Sequence, residues 1–130
     1  ENEQYAYFTL TGDFDPDAMS ARLGLEPSES WKVGDFNSRT RRPFAFSRWS
    51  LESRLTENQA LEAHIDDVLS QLAEASAAVS AASAELGGCM QLVGHFGRGY
   101  PGLHLTAEVI GKLAALNLSV DCDFYGLGGE

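Results

Sequence analysis

Hydrophobic and polar positions along this chain switch between two periods, and the switches mark out its elements. Residues 5–12 alternate, with Ala6, Phe8 and Leu10 on one face and Tyr5, Tyr7, Thr9 and Thr11 on the other, a strand pattern. Asp15-Pro16-Asp17 then opens a helix. The Asp15 carboxylate can accept from orphan amides, Pro16 suits the first helical position, and Asp17 complements the positive end of the dipole. Met19 and Leu23 form its inner stripe, and Gly24 ends it. Residues 26–43 contain Pro27, Gly34, Asn37 and Pro43 with little periodicity, which predicts a long surface loop pinned by Trp31. Alternation returns over 44–51, with Trp49 and Leu51 inward and Phe46, Arg48 and Ser50 outward.

Thr56-Glu57-Asn58-Gln59 has the form of a capping box and precedes the longest helical signal. Leu61, Ile65, Val68, Leu72, Ala75, Val79, Ala82 and Leu86 make one seam at spacings of three and four. Ala and Ser dominate after Leu72 and Ser76 can cap a second helix, so a bend or two helices is expected near 75–77. Burial of the seam on the chain's own sheet is the plain expectation; a dimeric coiled coil is the sharper one. Gly87-Gly88 break the helix. Residues 89–96 predict a strand, 97–102 a glycine-rich loop and 103–105 a short edge strand. Thr106 caps a last helix with Val109, Ile110, Leu113 and Leu116 inward; 118–125 form a final strand, and 126–130 a frayed tail. Ala114-Ala115-Leu116-Asn117-Leu118 echoes Ala21-Arg22-Leu23-Gly24-Leu25, each placing Asn or Gly where a helix must end left-handed.

These elements predict a single α+β domain over 1–130. The expected architecture is a ferredoxin-like two-layer sandwich: two pseudo-repeated β-α-β units joined by a helical linker, with one sheet face open. A length of 130 residues with 44% apolar content suits one core. No apolar run reaches the roughly 18 residues of a membrane span, and the polar start ENEQ lacks the layout of a signal peptide, which points to a cytoplasmic protein. Cys89 and Cys122 are too few for a disulfide scaffold or a four-ligand zinc site, and alternation sends them to opposite faces, Cys122 inward; two free thiols are expected.

A net charge of -10 argues against nucleic acid or an anionic membrane as partner. The charge is uneven. Between Trp31 and Arg54 six basic residues face two acidic ones, a local balance of +4 that leaves -14 on the remainder.

Side-chain parity supplies the candidate site. If helices cover the Phe8, Trp49, Leu92 and Phe124 face, the other carries Tyr5, Tyr7, Arg48, Val93, His95, Asp121, Asp123 and Tyr125. Tyr and Arg bury large area and still hydrogen bond, as recognition surfaces require. Trp31, Arg98 and Tyr100 join these as candidate binding residues. The leading expectation is a non-enzymatic module that binds an unidentified protein partner through this face, as an immunity-type inhibitor does. The alternative is a small anionic ligand held between the basic 31–54 loop and the glycine-rich 97–102 loop by Trp31, Arg41, Arg42, Arg48, Arg98 and Tyr100. No catalytic set, cofactor or metal is expected. His95 with Asp121 and Asp123 lacks a specific ligand spacing, and Asp13, Asp15 and Asp17 lack the glycine and distal glutamate of a calcium loop. Neither His64 nor His104 has a Ser or Cys in triad order, and there is no nucleophile elbow or phosphate loop. Oligomeric state stays open.

Several ordered features resemble a known family. They are Gly12-Asp13-Phe14-Asp15-Pro16, a helix closing Leu23-Gly24-Leu25 before Pro27, Trp31 with Gly34-Asp35, Trp49-Ser50-Leu51, Leu61-Glu62-Ala63-His64-Ile65 and the ending Val120-Asp121-Cys122-Asp123-Phe124-Tyr125. Together they are similar to the bacterial domain-of-unknown-function family 4279 across nearly the whole chain. The resemblance implies a small bacterial protein without an assigned activity, and it carries over no catalytic residue. The Ala-rich 73–86 is less typical of that family.

Overall fold

A computed structural model describes residues 2–126. Strand β1 (Glu3–Gly12) is central, and its alternation is realised in space: Ala6, Phe8 and Leu10 are fully buried while Tyr5, Tyr7 and Thr9 are half-buried on the other side. Helix α1 (Pro16–Leu23) starts on Asp15, whose carboxylate accepts the Asp17 amide, and ends on Gly24 at φ 69°. Residues 26–43 are more ordered than their lack of periodicity suggests. They form edge strand β2 (Glu29–Trp31) and a small hairpin of β3 (Phe36–Asn37) and β4 (Arg42–Pro43). A three-residue strand is too short to show a period; β2 exists because it pairs with β5 (Ser47–Glu52).

The long helical signal divides as expected. Helix α2 (Leu61–Leu72) passes through a 3-10 turn (Ala73–Ala75) into α3 (Ser76–Leu86). Its start differs from expectation. Residues Thr56 to Gln59 make a separate turn, closed by the Gln59 amide on the Thr56 carbonyl, and α2 begins from Ala60 without a side-chain cap. Strand β6 (Cys89–Phe96), helix α4 (Ala107–Ala115) and strand β7 (Ser119–Gly126) follow. Residues 103–105 are not a strand, and most of the expected tail, 127–130, lies outside the described residues.

The five-stranded sheet has the order β2-β5-β1-β6-β7. Within it β1 is antiparallel to both neighbours, whereas β6 and β7 are parallel and adjacent. The α+β class holds, but a ferredoxin-like sandwich is not confirmed. Among the described strands only β6-α4-β7 joins adjacent parallel strands through a helix; β1 and β5, the ends of the first expected unit, lie side by side and antiparallel. Helices α1 to α3 pack against Phe8, Leu10, Trp49, Met90 and Leu92 through Met19, Leu23, Leu61, Ile65, Val68, Leu72 and Val79, so the α2–α3 seam is spent within the chain.

Candidate functional site

Register aligns the outward residues of five strands into one field. Trp31 lies opposite Arg48, Tyr7 opposite Gln91, Gln91 opposite Asp121, Val93 opposite Asp123, and His95 opposite Tyr125. The field is built on stacked pairs. The Arg48 guanidinium lies 5.0 Å from the Tyr7 ring centroid and 5.4 Å from that of Trp31. Its Nε donates to the Ser50 hydroxyl at 2.9 Å, and that hydroxyl donates to Thr9 at 3.3 Å. Trp31 is fixed in turn: its indole N–H donates to the Phe46 carbonyl at 2.9 Å, and its ring stacks on Phe44 at 4.6 Å. Buried Ser47 anchors the same corner, accepting from the Val33 amide at 2.9 Å and donating to the Phe14 carbonyl at 2.6 Å.

Across the sheet Tyr5 stacks on Tyr7 at 6.3 Å and His95 on Tyr125 at 4.9 Å. Burial, reinforced by Tyr7 and the carboxylates of Glu52 and Glu57, pushes the Tyr5 phenol above its ordinary value, so it is a protonated donor at neutral pH. The exposed Asp123 carboxylate accepts from the Gln91 side chain at 3.1 Å, with Asp121 exposed beside it. The face therefore runs from a cation clasped by aromatics at one edge to a pair of carboxylates at the other.

Tyr5, Tyr7, Trp31, Arg48, His95, Asp121, Asp123 and Tyr125 thus share one face. Val93 shares it by parity but is buried. Tyr100 belongs elsewhere: its ring meets the edge of Phe96, a core residue of the helix-covered side, at 5.1 Å, and Arg98 is exposed in the same loop. The hairpin bearing Arg41 and Arg42 follows β2, at the opposite edge of the sheet from β7. Arg54 turns away to Asp67, which it meets at 2.8 Å; this pair holds the Asp67 carboxyl below its ordinary range. Cys122 keeps the expected inward parity, opposite core Leu92, and Cys89 the opposite one, but Cys122 is exposed because edge strand β7 is incompletely covered. Both cysteines are free, and burial pushes both thiols up. Among the described residues no group of three His, Cys, Asp or Glu side chains converges as a metal site would need.

One pairing escaped the sequence reading. His64 is fully buried, and its Nδ1 lies 2.7 Å from the Ser53 hydroxyl, while Nε2 has no partner among the described residues. Burial lowers its pKa. The Ser53 hydroxyl also accepts the Leu55 amide at 3.1 Å, so the pair ties the end of β5 to the start of α2. Eleven residues separate the partners, and only the strand-to-helix turn brings them together.

Fold and face define a small α+β domain with helices packed on one side of a mixed sheet and aromatic and charged groups on the other. Residues 2–127 match the family described as Domain of unknown function (DUF4279), and the chain belongs to that family. No curated protein and no solved structure matches it. No helix among the described residues is long and apolar enough to cross a membrane.

Proposed function

We propose that this chain is a non-catalytic binding module whose open sheet face receives a basic protein partner, in the manner of an immunity-type inhibitor. The clasp of Arg48 between Tyr7 and Trp31 carries the reading. A free arginine loses roughly 0.5–1.5 kcal/mol of side-chain freedom when a partner immobilises it; here stacking and the Ser50 bond have already restricted it. Trp, Tyr and Arg are also the types that dominate binding energy at interfaces. The acidic remainder of the chain steers a basic partner, and Asp121 and Asp123 meet its cations.

The test compares the chain with its Tyr7→Ala, Arg48→Ala, Asp121→Ala triple variant as baits for a basic partner. A partner retained by the native chain and lost from an equally stable variant is the expected result. Arg48→Ala alone should weaken that binding roughly 30-fold, the equivalent of about 2 kcal/mol. Retention of the partner by the triple variant would refute the reading.

A further inference from the structure

On the helix-covered side lies a second feature that the sheet face does not use. Glu62 at the start of α2 accepts the His104 amide at 2.9 Å, and Asn117 just past α4 bonds Ser80 on α3, so α2–α3 and α4 run alongside in the same direction. Between them is a groove of about 970 Å³. That is the size of a small-molecule site. Its floor is apolar, with Ile65 and Leu69 from one wall and Leu105, Val109 and Leu116 from the other.

The groove is polarised along its length. One end is lined by Ala73 and Ser76 facing Ala115, side chains too short to close the gap between the helices. The other carries Glu62, Asp66, His104, Glu108 and Lys112. Two of its three carboxylates are engaged, Glu62 by the His104 amide and Glu108 by Lys112 at 3.6 Å. Both also sit in first turns, where the helix dipole favours them. Asp66, one turn further on, has no ion pair or side-chain hydrogen bond among the described residues and stands exposed at the lip. Lys112 is already paired, which leaves the groove a surplus of negative charge over an apolar floor.

We propose that this groove binds an apolar molecule bearing one protonated amine, the apolar body lying on Leu69, Val109 and Leu116 and the ammonium donating to Asp66. An apolar body alone would leave Asp66 without a counter-charge, and an anionic head would meet three carboxylates against one paired lysine. Charge-assisted donation to a carboxylate is among the stronger hydrogen bonds, so the head group decides the class.

Dodecylammonium and dodecanoate, equal in chain length and opposite in charge, are titrated below their micelle concentrations into the whole chain by calorimetry at neutral pH. Dodecylammonium is expected to bind one per chain and dodecanoate far more weakly. Asp66→Asn should weaken dodecylammonium about tenfold. Ala73→Trp and Ala115→Trp, on opposite walls and at exposed positions, should each abolish binding with an unchanged circular dichroism spectrum. The Tyr7→Ala, Arg48→Ala, Asp121→Ala variant should bind as the native chain does, which separates this site from the sheet face. No binding of dodecylammonium, equal binding of dodecanoate, indifference to Asp66→Asn, or binding that survives both folded tryptophan variants would overturn the proposal.

Discussion

Gly94 shows what a single absent methyl group permits. It is buried in β6, and a side chain there would collide with the ring of Phe96, which folds back over it. Phe96 cannot swing clear, being 2% exposed and held by ring edges of Tyr100 at 5.1 Å and Phe124 at 5.3 Å. Gly94→Ala should therefore cost about 1–3 kcal/mol through overpacking, read as a lower urea midpoint with unchanged slope. Parity placed Val93 on its face, but alternation reports direction and not depth, so the burial of Val93 on that side was not legible. Arg48 was legible as outward. Its clasp was not, because half of it depends on Trp31, in a stretch whose only reason to be extended is pairing with distant β5.

At the scale of elements, the ends of helices were the most readable feature. The Ala-x-Leu-Gly/Asn-Leu echo is realised twice: Gly24 at φ 69° closes α1, and Asn117 at φ 59° follows α4. Asn117 also donates to the Ser80 carbonyl at 3.1 Å and hydroxyl at 2.8 Å, tying α4 to α3. Asn117→Ala places a methyl-bearing residue in the left-handed region and removes both bonds, so it should lower stability by roughly 1–2 kcal/mol or more. Asn117→Gly should recover the backbone share but not the bonds, a difference that chemical denaturation resolves. Where a start signal misled, at Thr56, its hydroxyl donates to the Asn58 side chain at 2.6 Å instead of capping the helix. The sequence signature is local, but the helix starts where Leu61 reaches the core.

At the scale of the whole molecule, strand order was closed to sequence reading because it rests on pairings between residues tens of positions apart. Two links between elements, the buried His64–Ser53 contact and the surface pair of Arg54 with Asp67, nevertheless set a global property, the response to acid. His64 is kept neutral by burial, against the smaller pull of the Gln59 and Thr56 carbonyls, Asp67 and Glu57, so its folded pKa lies below its ordinary 6.5. The unfolded chain then takes up this proton first as pH falls. Stability from His64 is complete above about pH 6.5 and declines below it. Asp67, depressed by Arg54, loses its contribution in a separate, more acidic window, as pH falls through its lowered folded value. His64→Asn should flatten the stability profile just below pH 6.5 and leave the acidic limb intact, as thermal melts across pH would show. A slope that persists in His64→Asn would assign that window to another group.

The uncovered border formed by β7 bears on how these molecules meet one another. Eight residues of backbone end the sheet with no described strand beyond them, flanked by exposed Cys122, Phe124 and Tyr125. Such a margin is an adhesive template for identical chains. Two copies meeting head-to-tail about Cys122 would set Asp121 against Asp123 on each side, like charge facing like across about 5 Å. In that register the paired aspartates would oppose the joining of two such margins, the role that charge on an edge strand plays against edge-to-edge pairing.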